Sequence, residues 1–451
     1  MAAGLATRLA AVVGTGHVID DPDVVAGRSV DYTGRYRGRG SLLVRPASAE
    51  EVVAVLAECR AAGRPVTVQG GRTSLVAGTV PEHDDVLLST ERICFLDPVD
   101  TGERRIRAGA GATLAAVQRT AAADGLLFGV DLAARDSATV GGMASTNAGG
   151  LRTVRYGNMG EQVLGLEVVL PDGTVLVRHS EVRSDNTGYD LAALFVGAEG
   201  TLGVITALDL RLHPVPAHRV TAVCGFTDLD ALVAAGRVFR DISQIAALEL
   251  IDARAAALAA EHLATPVPVG GNWLLLVELA ADTDPTETLA AALDEVDVCG
   301  EPAVGVDSAA ATRLWQVRES VADVVGLFGP PLKFDVSLPL SRIAAFARDS
   351  AALVTEHAAD AVPVLFGHIG EGNLHLNVLR CSLDAEQGLY AAMMALIADH
   401  GGNVSSEHGV GTRKRDYLSM SRTEADIATM RAVKATLDPA GYLNPAVLFG
   451  S

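Results

Sequence analysis

Histidines and a carboxylate that stand among glycines near the end of the chain are its clearest candidates for chemistry. His368 and His375 flank a loop whose glycines let the backbone turn sharply. Apolar and polar residues alternate after this loop, so His375 and Asn377 point to the same side of a predicted strand. The loop can return His368 to that side. A second glycine-flanked stretch supplies Glu407 and His408.

These residue types predict an open site for a divalent metal ion. The two imidazoles of His368 and His375 and the carboxylate of Glu407 leave coordination positions for a substrate, which is typical of catalytic rather than structural sites. One alternative is a set of ordinary hydrogen-bonded histidines in a tight turn. Another is a metal-dependent hydrolase in which the same ligands activate water and Glu371 is the base.

The composition indicates an α/β or α+β enzyme with two or three domains. The chain has 451 residues and 46 glycines, and its net charge of −19 disfavours nucleic acid as a partner. Its five cysteines form no CxxC pair, so no disulfide framework or thiolate zinc site is expected. No basic signal-peptide start and no apolar run of membrane-spanning length occur, which predicts a cytoplasmic protein without a transmembrane segment.

Two glycine-rich segments in the first half are suited to a large ligand. A predicted strand at 65–69 runs into a loop at 70–78 whose backbone N–H groups could bind a phosphate, although a plain tight turn explains it equally well. The run at 137–150 consists mostly of small residues, which indicates close approach of the backbone to a ligand. A helix over 52–62 precedes the first segment, and a hairpin over 164–178 follows the second.

Helices and strands alternate beyond a predicted linker at 214–218. The pattern indicates a mixed sheet with helices on one side. The predicted strands are 220–226, 247–251 and 273–279, and the predicted helices are 229–240 and 285–296.

The order of these segments resembles a known family. The glycine segments, the turn at 200–206, the histidine stretch and the Glu407-His408 stretch together resemble the FAD-linked 2-hydroxyacid dehydrogenases of the vanillyl-alcohol-oxidase/p-cresol-methylhydroxylase superfamily. The nearest branch contains D-2-hydroxyglutarate dehydrogenase, D-lactate dehydrogenase and the glycolate oxidase catalytic subunit. The resemblance implies an α+β protein. A two-part FAD-binding domain of the p-cresol-methylhydroxylase type would occupy 1–214. A substrate domain at 215–404 would carry the metal-binding histidines on a mixed, largely antiparallel sheet, and 405–451 would return to the FAD domain.

The resemblance also implies a flavin cofactor. The loop at 70–78 and the run at 137–150 would hold its pyrophosphate and ribityl chain, and the turn at 200–206 would lie near its adenine. Covalent relatives use a His or Cys, and none occurs in 65–81, so the FAD is expected to be non-covalent. Arg72, Ser74 and Ala77 replace family glycines, and Arg72 would either add a phosphate contact or narrow the pocket. The implied FAD-binding residues are Gly70, Gly71, Arg72, Thr73, Ser74, Leu75, Ser137, Gly141, Gly142, Ser145, Asn147, Gly149, Gly150, Gly200, Gly203, Ile205 and Asn444.

Two basic residues match the carboxylate-binding pair of the family. Arg318 falls close to the apolar stripe of a predicted helix, where its charge needs either an internal acid or a substrate carboxylate. Lys333 lies on the polar side of a predicted strand. Ala322 stands where D-2-hydroxyglutarate dehydrogenases carry a threonine, and it is a departure from that branch of the family.

The reaction implied is oxidation of a D-2-hydroxy acid, D-2-hydroxyglutarate or a D-lactate-like acid, to the 2-oxo acid. A divalent metal ion, with zinc expected, would acidify the substrate hydroxyl, His408 would accept its proton, and the hydride would pass to flavin N5. Asn377 would bind the substrate. An external acceptor other than NAD, such as an electron-transfer flavoprotein or a quinone-linked subunit, would take the electrons. A glycolate oxidase catalytic subunit, a non-redox flavoprotein synthase, an electron-carrying flavin subunit and a homodimeric assembly stay open.

Overall fold

The computed structural model describes residues 2–179 and 185–450, which form two compact units. The first unit comprises residues 1–149, 157–214 and 407–451, and the second comprises residues 150–156 and 215–406. The chain thus leaves the first unit for the short segment 150–156, leaves it again after residue 214 and returns at residue 407. Among the described residues, no helix combines the length and apolar character needed to cross a membrane.

The helices vary widely in length. In chain order, the α-helices α1 to α15 of the described residues are Ala2–Val13, Pro22–Arg28, Ala49–Ala61, Leu114–Ala123, Val140–Thr146, Thr153–Tyr156, Met159–Gln162, Leu191–Phe195, Leu229–Arg240, Ala253–Leu263, Thr286–Asp294, Ser308–Gly326, Ile343–His357, Leu383–Asp399 and Glu424–Leu437. Short 3₁₀ helices cover Thr15–His17, Leu340–Arg342, Ile369–Glu371 and Arg415–Met420.

The strands of the described residues form three sheets. In chain order, the strands β1 to β16 of the described residues are Val18–Ile19, Gly40–Val44, Val66–Gln69, Asp85–Ser89, Arg105–Gly109, Leu126–Phe128, Val163–Val169, Val175–Arg178, Val204–Pro214, His218–Phe226, Ile245–Asp252, Trp273–Ala281, Ala303–Gly305, Leu332–Ser337, Val362–His368 and Asn373–Leu379.

Two of the sheets belong to the first unit. One has the order β1-β2-β4-β3, in which β2, β4 and β3 are parallel. The other has the order β5-β9-β7-β8, with β6 paired to β9, and its strands are antiparallel. The predicted hairpin around residues 164–178 is confirmed as β7 and β8. The run of small residues at 137–150 is not extended throughout, because α5 occupies Val140–Thr146 behind a Thr139 N-cap.

The helix expected over 52–62 is confirmed as α3, Ala49–Ala61. The Ser48 side chain accepts a hydrogen bond from the Glu51 N–H at its start, while the Glu51 carboxylate accepts from the Ala47 N–H rather than from Ser48. Leu5 and Leu9 of α1 are buried in the same core as α3. Apolar spacing and cap chemistry are local properties, which is why the sequence alone located α3.

The second unit is built on one seven-stranded antiparallel sheet. Its strand order is β13-β10-β12-β11-β15-β16-β14. The β10–β12, β14–β16 and β15–β16 registers are regular, and the β11–β12 register shifts between Ile245 and Ala247. α10 and α12 bury their apolar sides against it, together with Ile251, Leu276 and Phe366. The predicted α+β class and largely antiparallel sheet are confirmed.

Candidate active site

The tight connection between β15 and β16 brings the two predicted histidine ligands together. β15 ends at His368, a 3₁₀ turn follows, and β16 carries His375 opposite Phe366. Gly372 adopts φ +75°, and a Cβ there would lie 2.2 Å from the Leu338 carbonyl oxygen, so the turn requires glycine. The Nε2 atoms of His368 and His375 lie 3.5 Å apart.

The other ring nitrogen of each histidine faces a buried carboxylate on a neighbouring strand. His368 Nδ1 lies 2.5 Å from Glu249 Oε1, and His375 Nδ1 lies 3.8 Å from Asp335 Oδ1. These pairs follow from strand register, since Glu249 opposes His368 and Asp335 opposes His375. Register partners of an antiparallel pair project to the same side of the sheet. We call this side, defined by Glu249, His368, His375, Asp335, Lys333 and Asn377, the histidine face.

Arg318 of α12 reaches the same carboxylate from the helix that covers the sheet. Its Nε donates to Glu249 Oε2 at 2.7 Å, and its guanidinium lies over the Phe366 ring, 4.7 Å from the ring centroid. The internal salt bridge that the sequence left open is therefore present. Burial by itself would raise the pKa of the Glu249 carboxyl, but His368 and Arg318 outweigh it and the pKa lies below its usual range.

Lys333 lies next to Asn377 on the histidine face. The two residues are register partners on β14 and β16. Lys333 is two residues from Asp335, and Asn377 is two residues from His375, so all four side chains lie on the same side of the sheet. Lys333 is half-buried, and the described residues give its ammonium group neither a hydrogen bond nor an ion pair. Burial lowers its pKa. Asn377 is buried, and its amide donates to the His375 carbonyl oxygen at 3.4 Å.

Glu407 and His408 belong to the first unit. His408 Nε2 lies 3.7 Å from Glu407 Oε1. The loop that follows is fixed by Glu199, which is buried and accepts from the Val410 and Gly411 N–H groups at 2.7 and 2.8 Å. Burial raises the pKa of Glu199 although these two N–H groups and nearby Lys414 oppose the shift.

The donor set of the histidine face fits a divalent metal ion. Two nitrogen ligands of a tetrahedral zinc site are about 3.4 Å apart, given metal–nitrogen distances of about 2.0–2.1 Å. The Nε2 atoms of His368 and His375 are separated by 3.5 Å. A carboxylate behind Nδ1 is the usual partner of a histidine ligand. The assignment of Glu407 as the third ligand stays a prediction.

A cavity of about 520 Å³ in the first unit is lined by the predicted pyrophosphate segments. Gly70 and Gly71 pack so closely on Thr139 and Ser137 that a Cβ at Gly71 would lie 1.8 Å from the Ser137 carbonyl oxygen. Arg28 and Arg72 add cationic groups to the lining, but Glu91 and Asp136 also lie there, and Arg28 is paired with Glu91 at 3.0 Å. Arg72 Nη1 donates to the Gly27 carbonyl at 3.1 Å. The glycine backbone and the Arg72 guanidinium are the groups of this lining that fit an anionic pyrophosphate.

Two residues of the loop at 70–78 adopt a left-handed backbone conformation that favours glycine. Arg72 and Ala77 both have φ +56°, which costs energy for residues with a Cβ. Ser74 uses its hydroxyl to accept from the Val76 and Gly78 N–H groups, which stabilises the loop.

Other predicted flavin residues have local roles in the first unit. Asn147 is left-handed, and its side chain accepts from the Gly160 N–H at 2.8 Å. Asn444 accepts from the Val68 N–H and donates to the Glu199 carbonyl, and it closes over Gly200, where a Cβ would lie 2.6 Å from its amide nitrogen. Gly141, Gly142 and Ser145 lie in α5, Gly203 directly precedes β9, Ile205 lies in β9, and Thr73 and Leu75 are in the first loop. Gly149 ends the first segment of the first unit, and Gly150 begins the first segment of the second unit.

Three carboxylates of these sites were not identified from the sequence. Glu249 follows an apolar run in β11, Asp335 alternates with apolar residues on the polar side of β14, and Glu199 lies in a glycine-rich turn. A charged residue at a core position needs a buried partner, so the position of Glu249 within an apolar run was the signal in the sequence that could have identified it.

The sequence matches two family models over most of its length. Residues 215–448 match the model of FAD linked oxidases, C-terminal domain. Residues 41–178 match that of an FAD binding domain.

Relatives and solved structures agree with those matches. D-2-hydroxyglutarate dehydrogenase, mitochondrial, of Bos taurus is 36% identical over 442 residues, which cover 95% of this chain and 80% of the relative. D-2-hydroxyglutarate dehydrogenase of Stutzerimonas stutzeri (strain A1501) is 32% identical over 462 residues, 99% of each chain. Structures of 4-ethylphenol oxidase from Gulosibacter chungangensis and of p-cresol methylhydroxylase each superimpose with a TM-score of 0.81 at 18% and 16% identity. The first covers 100% of this chain and 97% of the oxidase, and the second covers 99% and 97%. These solved structures share the fold of this chain. The family model over residues 215–448 and the two relatives show that the chain belongs to the FAD-linked oxidase family.

Proposed function

We propose that this protein oxidises D-2-hydroxyglutarate to the 2-oxo acid. The chain belongs to the FAD-linked oxidase family and is an FAD-dependent oxidoreductase. Relatives with that activity in their names align with 95% and 99% of the chain. The observation that carries the choice of a dicarboxylate is Lys333, a half-buried cation without a partner among the described residues, beside Asn377 on the histidine face.

The charges of the histidine face assign different carboxylates to different groups. The charge of Arg318 is compensated by an ion pair with Glu249. Lys333 is desolvated by burial, and no carboxylate among the described residues compensates its charge. A desolvated cation gains most from an anionic ligand. We assign Lys333 to the distal carboxylate of the substrate, with Asn377 as its hydrogen-bonding neighbour. Arg318 then supports the carboxylate next to the hydroxyl.

The metal ion is assigned to His368, His375 and Glu407, with zinc as the expected ion. Bound there, it would supply charge that lowers the pKa of the substrate hydroxyl, and FAD in the first unit would supply the hydride acceptor. His408 accepts the hydroxyl proton, a role suited to a neutral imidazole. The assignments of Glu407 and His408 rest on the order of motifs and on their adjacent side chains.

The chemical class of the substrate is tested by flavin bleaching. Anaerobic mixing with D-2-hydroxyglutarate should bleach the visible flavin absorbance, D-lactate should bleach it more slowly, and the L-enantiomers should have little effect. Equal bleaching by D-lactate and glycolate would contradict a dicarboxylate substrate. If no 2-hydroxy acid bleaches the flavin under anaerobic conditions, the result would contradict the proposed reaction and favour a non-redox synthase.

The acceptor and the compartment stay predictions. An electron-transfer flavoprotein or a quinone-linked subunit would reoxidise the flavin, and the two are separated by reoxidation assays with each acceptor. The bovine relative is named as mitochondrial and the bacterial relative is not. The cytoplasm stays the expected location for this chain.

A further inference from the structure

Three charged side chains meet on the histidine face, and Glu249 lies between the other two. Its Oε1 faces His368 Nδ1 at 2.5 Å, and its Oε2 accepts from Arg318 Nε at 2.7 Å. Glu249 is fully buried, and the side chains of Arg318 and His368 are only 5% and 6% exposed. Little water is therefore available to substitute for these contacts.

The chemistry of the three groups determines where the protons lie. A guanidinium group only donates, and a carboxylate that receives it on one oxygen offers the second oxygen as an acceptor. His368 Nδ1 therefore carries a proton, and its Nε2 carries the lone pair when the ring is neutral. That Nε2 is the atom that faces His375 Nε2 at 3.5 Å.

We propose that Glu249 is a positioning residue that fixes His368 in the tautomer required for metal binding and holds Arg318 on the same face. The proposal rests on the proposed function, because it takes His368 as a metal ligand. One carboxylate thereby couples a metal ligand on β15 to a substrate-side cation on α12. Neither the family models nor the names of the relatives assign a role to it.

The substitution Glu249→Gln separates positioning from simple charge attraction. An amide has one acceptor oxygen, and the guanidinium of Arg318 is the stronger donor for it. The amide N–H group would then face His368 Nδ1 and move the ring proton to Nε2, which removes the metal lone pair. When Arg318 is also replaced, the amide oxygen is available to His368 and the original tautomer is restored.

The test measures Zn²⁺ affinity on flavin-loaded protein after a chelator has removed bound metal. Glu249→Gln should weaken Zn²⁺ binding by about 10–100-fold, the usual effect of removing the partner of a histidine ligand. The same substitution in an Arg318→Met background should have a much smaller effect relative to Arg318→Met alone. An equal loss in both backgrounds would overturn the positioning role, since it would show attraction by the negative charge.

Glu278→Gln is the matched control for burial. Glu278 is a buried carboxylate on the adjacent strand β12, and it accepts from Trp315 Nε1 of α12 at 2.8 Å and from Thr221 Oγ1 at 3.3 Å. Its loss should disturb the contact between α12 and the sheet but leave Zn²⁺ affinity within about twofold, below the range expected for a ligand partner. A loss equal to that of Glu249→Gln would mean that any damage to this contact weakens the metal site, which contradicts a specific role.

The tautomer can also be measured without a variant, which covers the case of a Glu249→Gln protein that fails to fold. Ring-¹⁵N NMR of histidine in flavin-loaded, metal-free protein, in mildly alkaline buffer, should show His368 with its proton on Nδ1. A proton on Nε2 would overturn the proposal. If His368→Ala and His375→Ala both bind Zn²⁺ like the wild type, the metal site itself fails, and that result is distinct from a failure at Glu249 alone.

Discussion

The Nε2 atoms of His368 and His375 face each other at 3.5 Å, while their Nδ1 atoms face Glu249 and Asp335 on opposite flanking strands. The His368 ring is held by a hydrogen bond to Glu249 at 2.5 Å, whereas Asp335 lies 3.8 Å from His375 Nδ1, beyond hydrogen-bond distance. In both rings the Nε2 atom is the one that faces the other histidine. This arrangement depends on the sharp turn at Gly372 and on the register of β11, β15, β16 and β14.

Replacement of His375 tests the metal site. His375→Ala should lower bound Zn²⁺ and reduce kcat by orders of magnitude, because one of the two imidazole donors is lost. FAD should remain bound. His400→Ala is a suitable control, since His400 lies in the same unit but contacts Asp349 and Phe346. Metal content by emission spectrometry and flavin absorbance check the prediction, and normal metal content in His375→Ala would contradict it.

His408 is expected to act as the base. His408→Gln should retain metal and FAD and reduce kcat by about 10²–10⁴-fold, the usual contribution of a general base. The rate of flavin bleaching in stopped flow reports the affected step directly. The variant should also lose the decline in rate toward acidic pH that protonation of a base produces. A rate above half of the wild-type value would assign His408 a structural role.

Lys333 should discriminate between substrates. Lys333→Met should lower kcat/KM for D-2-hydroxyglutarate by the equivalent of ~2–5 kcal/mol, because a buried carboxylate of the substrate would lose its cation. The kcat/KM for D-lactate, which has no distal carboxylate, should change little. Lys333→Arg is the charge-preserving control. Equal losses for both acids would instead place Lys333 at the carboxylate next to the hydroxyl.

The same lysine predicts a pH dependence. Burial lowers the pKa of Lys333, so its charge is lost at a lower pH than that of an ordinary lysine. The wild-type kcat/KM for D-2-hydroxyglutarate should therefore fall as the pH rises through this lowered pKa. Lys333→Arg should remove that decline, because arginine stays protonated. An identical alkaline decline in both proteins would show that another group titrates.

Glu199 should determine the stability of the His408 loop. Glu199→Gln leaves one of the Val410 and Gly411 N–H groups without an acceptor, which costs about 1–3 kcal/mol at a buried site. Because burial raises the folded-state pKa of Glu199, its stabilising contribution is largest below the unfolded-state pKa and declines as the pH rises through the folded-state value. The difference in Tm between wild type and Glu199→Gln should therefore narrow with rising pH. A difference that widens would reverse the assigned shift.

Substitution of Arg72 tests whether its guanidinium contacts the pyrophosphate of FAD or only narrows the cavity. If its guanidinium contacts the pyrophosphate, Arg72→Gln should weaken FAD binding by about 10–100-fold, the equivalent of one charged hydrogen bond, and Arg72→Lys should weaken it less. If it only narrows the cavity, Arg72→Gln should bind FAD as well as the wild type or better. Both variants keep the strained φ of +56°, so backbone relief does not confound the comparison. Fluorescence titration of the apoprotein with FAD measures the result.

The amino-acid sequence by itself determined the features that depend on nearby residues. Apolar spacing and alternation located α3 and five strands of the seven-stranded sheet, namely β10, β11, β12, β14 and β16, and glycines at 70–71 and 372 identified tight turns. The pairing of His368 with His375 was also accessible, since only a short loop separates them. The order of the motifs then sufficed for the family.

Only the tertiary structure decided which charges meet. Helical periodicity placed Arg318 in an apolar stripe, where its charge requires an anionic partner. That partner, Glu249, is 69 residues away on strand β11, and the spacing within α12 does not identify it. Glu199 and the loop at Val410 are separated by 211 residues. Strand order and register determine such contacts, and they result from packing of the whole sheet rather than from local spacing.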